Sequence, residues 1–209
     1  MIPLTPTDML IVVDVQNDFC PGGALAVVGG DEIVPMVNRL IDRFHRVVAT
    51  QDWHTAAHAS FAAAHPGRRP FETIDVAYGR QTLWPVHCVQ GTAGAELHPG
   101  LDLTTAELVL RKGFHGHVDS YSAFFENDRT TPTGLNGYLR ERGIERVFLA
   151  GLATDYCVAY SALDAAGHGF AVTVILDACR AIDLAGSLEA SLAAMADAGV
   201  DFAATADFE

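Results

Sequence analysis

One alternation constrains this chain more than any other feature: a short apolar, largely β-branched run, then a loop, then apolar residues at helical spacing. Residues 9–15 (MLIVVDV) precede a Gly-rich loop and the stretch DEIVPMVNRLIDRF, in which apolar positions recur every three to four residues behind an acidic start. Similar runs return at 46–52 (RVVATQD), 106–111 (AELVLR), 146–151 (RVFLAG), 171–176 (AVTVIL) and, weakly, near Val200. Further helices are expected at about 133–142, 155–166 and 187–198, with Gly143, Gly167 and Gly199 as their stops. Strands that are apolar throughout belong in a parallel sheet covered on both faces. The expected fold is therefore α/β, a doubly wound, mainly parallel sheet of about six strands with helices on both faces.

A chain of 209 residues suits a single domain, 1–209, with a large core. Between about residues 53 and 105 the alternation gives way to a Gly-, Pro-, Ala- and His-rich segment. Loops that long are functional or disordered. Trp53, Phe61, Phe71, Tyr78 and Trp84 argue for order, because they would be costly to leave in water. The four cysteines, Cys20, Cys88, Cys157 and Cys179, form no CxxC pair and read as reduced thiols. No signal peptide is seen at the start, and no apolar run approaches the roughly 18 residues of a membrane span. A cytoplasmic location is expected. A net charge of −13 repels phosphate backbones and anionic lipid, so neither nucleic acid nor membrane is an expected partner. A small neutral or cationic ligand fits better; the oligomeric state, a homo-oligomer included, is left open.

In open α/β sheets ligands bind beyond the carboxyl ends of the strands. There the first run ends in Asp14, the second in Asp52 followed by His54, and the third in Arg111-Lys112; the fourth leads into the turn GLATDYCV that carries Cys157. A thiol becomes a strong nucleophile when a base takes its proton and a cation stabilises the thiolate. Asp14 supplies the base and Lys112 the cation; a cap or a structural ion pair is the plainer role for both. Asp52 and His54, two apart in an extended stretch, point to one side. With a second histidine they would form a facial set of two imidazoles and a carboxylate with open positions, suited to Fe, Mn or Zn. His87 and His58 are candidates for that histidine, with His65, His98, His115 and His117 behind them.

With these residues in view, the sequence closely resembles the nicotinamidase/pyrazinamidase branch of the isochorismatase-like cysteine hydrolases. Five blocks in order carry the likeness: DVQNDFCPGGALAV (14–27), QDWH with HxSF (51–61), WPVHCVQGTAGAELHP (84–99), RKG (111–113) and GLATDYCV (151–158). The resemblance implies Cys157 as nucleophile, Asp14 as proton shuttle and Lys112 as the group that lowers the thiol pKa. It also implies one divalent metal (Zn, Fe or Mn) on Asp52, His54 and His87 that anchors a ring nitrogen, and Phe19 and Trp84 as ring clamps. A cis peptide between Leu152 and Ala153 would aim the backbone N–H groups of Ala153 and Cys157 at the oxyanion. The fourth protein ligand varies in the family, which leaves His58 open. The implied reaction is hydrolysis of nicotinamide to nicotinate and ammonia through a thioester, with pyrazinamide or a similar aromatic amide as further substrate, in NAD salvage. Its rivals are another amide or ether hydrolase of the superfamily and a non-enzymatic metal or thiol sensor. A dinucleotide-binding protein would need a GxGxxG fingerprint where this chain has DVQNDFCPGG.

Overall fold

The computed structural model describes residues 1–208. In chain order the strands are β1 (Asp8–Val13), β2 (Val47–Asp52), β3 (Thr73–Val76), β4 (Gly79–Thr82), β5 (Leu108–Lys112), β6 (Arg146–Leu152), β7 (Ala171–Arg180) and β8 (Asp201–Ala203). The helices are α1 (Val34–Arg43), α2 (Leu135–Glu141), α3 (Ala159–Gly167) and α4 (Ser187–Asp197). Six strands form one parallel sheet in the order β5-β2-β1-β6-β7-β8, as the alternation implies.

Both faces of the central strands are buried, which explains why residues 9–13 and 47–50 within β1 and β2 read as apolar or small-residue runs. Leu10 and Val12 of β1 pack on one side with Val34, Val37, Leu40 and Ile41 of α1. Met9, Ile11 and Val13 pack on the other with Leu135 and Leu139 of α2 and with Ala159, Ala162 and Ala165 of α3. Each large aliphatic side chain so buried contributes about 1.5–3 kcal/mol. The alanines, three residues apart, let α3 lie close to β7.

The chain winds outward from β1 first to β2 and β5, then returns to the other side for β6, β7 and β8. This makes the carboxyl ends of β1 and β6 the point where the winding reverses, the place where such sheets open a crevice. Strand β1 stops short of the expected residue 15, because Asp14 takes a φ of 47° and turns out of the sheet. Residues 155–166 are not one helix: a π-helical turn, Thr154–Val158, comes first and α3 follows it. Gly167 falls inside α3, and Gly169, at φ 81°, takes the left-handed stop instead.

The segment between residues 53 and 105 is built from short pieces. Strands β3 and β4 pair as an antiparallel hairpin that sequence periodicity does not reveal. Single bridges join His54 to Val89, Phe61 to Trp84, and Gln16 to Leu97. No helix among the described residues is long and apolar enough to cross a membrane.

Candidate active site

Four segments meet at the reversal point. Asp14 leaves β1, Asp52 closes β2, Lys112 closes β5, and Cys157 sits in the π-helical turn after β6. All four are buried. Lys112 Nζ donates to Asp52 Oδ1 at 2.5 Å, to the Ser120 carbonyl at 2.8 Å and to Cys157 Sγ at 3.4 Å. It also lies 2.8 Å from Asp14 Oδ2. Thr50, two residues before the end of β2, donates its hydroxyl to Asp14 Oδ1 at 2.6 Å and so fixes the carboxylate plane.

Electrostatics follow from one ammonium among two carboxylates and a thiol. Burial works against ionisation of Asp52, but Lys112 and then His54 hold its carboxyl well below the usual range. Asp14 goes the other way: burial, helped by the Asp52 charge, outweighs Lys112 and raises it. Burial opposes the charge on Lys112, yet Asp14 and Asp52 keep its pKa well above normal. The Cys157 thiol is pushed well up by burial; Lys112 pulls it down, and Asp14 and Asp52 oppose Lys112. Lys112 thus acts on the thiol in the expected direction, against burial and the two carboxylates.

Beside this cluster, one ligand atom each from Asp52, His54 and His87 lies within 4.8 Å of the others. Each ring is held by its far nitrogen: His54 Nδ1 lies 2.8 Å from the Gly113 carbonyl, and His87 Nδ1 lies 2.8 Å from the Pro85 carbonyl. Those contacts place a proton on Nδ1 and turn both Nε2 atoms toward the site. Burial, and then His54, pushes His87 down to about 4, so its imidazole is neutral near pH 7. Asp52 Oδ2 faces His54 Nε2 at 3.6 Å. Burial opposes a charge on His54, but Asp52 outweighs it and raises the His54 pKa, so a divalent metal would displace a proton there; two imidazole nitrogens and a carboxylate oxygen at this spacing suit such an ion.

Two residues of the matched motifs serve this geometry. Gln16 accepts from Asp52 N–H and donates to its carbonyl, clamping that backbone from both sides. Gly113, at φ 65°, lets His54 approach: a Cβ there would sit 2.5 Å from His54 Cε1. His58 lies tilted against His54 with ring centroids 4.3 Å apart. Its Nδ1 meets Ser60 Oγ at 2.8 Å, and its Nε2 lies 3.1 Å from the carbonyls of His115 and Val118. Both nitrogens are thus engaged within the protein, and His58 groups with His54 and Asp119 instead of with Asp52 and His87.

A narrow cleft opens onto both clusters. Phe19 and Trp84 line it, as do Leu25, Tyr121, Tyr156 and Ile182, which sequence reasoning missed. Tyr156 meets Trp84 edge-on at 4.8 Å between ring centroids, and the Trp84 indole N–H donates to Tyr121 Oη at 3.0 Å. The Leu152–Ala153 peptide is cis, and the Ala153 carbonyl accepts from the N–H groups of Tyr156 and Val158.

The family model of the isochorismatase domain matches residues 8–207. A nicotinamidase of Acinetobacter baylyi is 59% identical over 191 residues, covering 91% of this chain and 89% of its own. A solved nicotinamidase/pyrazinamidase of Acinetobacter baumannii superposes with a TM-score of 0.97 at 56% identity, covering 98% of this chain and 99% of its own. The pyrazinamidase of Pyrococcus horikoshii, solved in complex with zinc, superposes with a TM-score of 0.77 at 37% identity, covering 95% and 99%. With the family model spanning residues 8–207 and relatives at 56% and 59% identity over nearly the whole chain, the chain belongs to the isochorismatase family, in its nicotinamidase/pyrazinamidase branch.

Proposed function

We propose that this protein is a nicotinamidase, a metal-dependent cysteine amidohydrolase that converts nicotinamide to nicotinate and ammonia and also accepts pyrazinamide. The whole chain acts as one hydrolase domain, with the segment at about 53–105 supplying His54, His87 and Trp84. The observation that carries this reading is that the thiol cluster and the imidazole–carboxylate cluster share Asp52 and open on one aromatic-lined cleft. Its aromatic walls, Phe19, Trp84, Tyr121 and Tyr156, suit a flat heteroaromatic ring.

Asp52, His54 and His87 would hold a divalent ion, Zn, Fe or Mn, which would supply Lewis-acid chemistry toward a ring nitrogen and offset the Asp52 charge. Phe19 and Trp84 bracket the ring. The carboxamide carbon then faces Cys157. The thiol passes its proton to Asp14, whose Oδ2 lies beside Lys112 and accepts no directed hydrogen bond. Sulfur attacks the carbon, and the N–H groups of Ala153 and Cys157 take the developing oxyanion. Asp14 returns the proton to the departing nitrogen, ammonia leaves, and a thioester remains. Asp14 next deprotonates a water; its attack on the thioester releases nicotinate and restores the thiol.

The test is ammonia release from nicotinamide by purified protein, before and after chelation and with Zn, Fe or Mn restored. Release that vanishes on chelation and returns with one of these ions is the expected result. No release with any of them would remove nicotinamide as the substrate.

A further inference from the structure

Asp119 is a buried carboxylate, 2% exposed, in the loop after β5. Its Oδ1 accepts the Ser120 N–H at 2.9 Å, and its Oδ2 accepts from the Gln81 amide at 2.7 Å. Among the described residues no Lys or Arg pairs with it. Its ionic neighbour is His54, with Nε2 4.0 Å from Asp119 Oδ1. A buried carboxylate without a cation is costly, and such groups are normally paired or set against a metal. His54 Nε2 thus faces two carboxylates, Asp52 Oδ2 at 3.6 Å and Asp119 Oδ1 at 4.0 Å.

Atoms that ligate one ion at about 2.1 Å can be at most about 4.2 Å apart. Asp119 groups closely with His54 and His58, not with Asp52 and His87, so an ion on the latter pair is out of its direct reach. A carboxylate outside direct reach can still act on an ion through a bound water. We propose that Asp119 is a positioning carboxylate for the metal ion, one water removed from it and oriented by Gln81 of the β3–β4 hairpin. It accepts a hydrogen bond from that water and adds negative charge facing the ion. Gln81 is fully buried, and its amide also reaches Tyr121 Oη at 3.0 Å while its carbonyl accepts from Tyr78 Oη at 3.0 Å. The hairpin thereby ties the metal side of the cleft to the ring side.

The inference rests on Asp52, His54 and His87 being the ion's ligands, and the test separates the two. Chelator-stripped protein is titrated with Zn²⁺ alone by calorimetry at one pH. Asp119→Asn should weaken binding about 10–100-fold, and Gln81→Leu should weaken it by less, while melting temperature and Cys157 alkylation of the stripped proteins stay as in the wild type. Unchanged Zn²⁺ affinity in Asp119→Asn, with His87→Ala having lost the ion, overturns the role of Asp119 alone. Unchanged affinity in His87→Ala overturns the ligand set and this inference with it. If Asp119→Asn fails to fold, Gln81→Leu decides: unchanged affinity there removes the proposed orientation.

Discussion

Lys112 has three protons, and they go to Asp52 Oδ1, the Ser120 carbonyl and Cys157 Sγ, leaving Asp14 Oδ2 close by with no directed donor. A thiol raised by burial next to a carboxylate that is also raised can transfer its proton at the moment of attack without resting as a thiolate. In chelated protein, iodoacetamide should therefore alkylate Cys157 slowly at pH 7 and faster as pH rises, because the thiolate fraction grows only toward the raised pKa. A plateau below pH 7, followed by peptide mapping, would reveal a preformed thiolate instead. Cys157→Ala should lower turnover by about 10⁴-fold or more while retaining metal content and melting temperature. Substantial remaining hydrolysis would move the nucleophile elsewhere. Asp14, Asp52, Lys112 and Cys157 could be singled out because each follows an apolar run, where a parallel sheet delivers side chains to one rim. Tyr121, Asp119 and Gln81 could not, because they stand in irregular loop or at a hairpin end and meet partners about forty residues away.

At the level of elements, the central pair β1 and β6 is locked at its amino end, opposite the crevice. Asp8 and Arg146 are register partners, and the guanidinium bonds both carboxylate oxygens, at 2.7 and 2.6 Å. Burial by itself would raise the Asp8 carboxyl, but Arg146 and the Thr5 N–H hold it below its ordinary value. The folded pKa thus lies under the unfolded one. The pair's stabilisation is complete above the unfolded value of about 4 and is lost as pH falls through the folded value. Asp8→Asn should cost about 1–3 kcal/mol at pH 7, and urea unfolding at pH 3 should show a smaller difference. Equal differences at both pH values would mean that hydrogen-bond geometry, not charge, holds the strands. The apolar runs of β1, β2 and β6 were plain in the sequence. Strands β3 and β4 were not, because four-residue strands with mostly exposed or half-buried side chains carry almost no hydrophobic period.

Across the whole molecule, the sheet fixes one half of the site and the segment between β2 and β5 supplies the other. The order of the sheet follows from sequence pattern, since parallel winding needs only the alternation of strand and helix. How residues 53–105 fold back depends on single bridges and side-chain clamps, such as Gln16 on Asp52 and the Asp18 carboxylate on the Cys88 N–H, which have no periodic signature. This division predicts that the ion stabilises the fold as well as serving the reaction. It binds the assembled site and not the unfolded chain, so at a free concentration 100 times its Kd it adds about 2.7 kcal/mol. For a chain of 209 residues that corresponds to a rise of about 5–10 °C in melting temperature. Calorimetric melting at pH 7 should show this loss on chelation and its recovery with Zn²⁺. Because ligating imidazoles must be neutral, the gain should shrink as the pH is lowered. His87→Ala should melt near the chelated wild type and no longer respond to chelator. A wild-type melting temperature indifferent to chelation would mean that Asp52, His54 and His87 are brought together by Lys112, Gly113 and Gln16 alone, with the ion contributing nothing to the folded state.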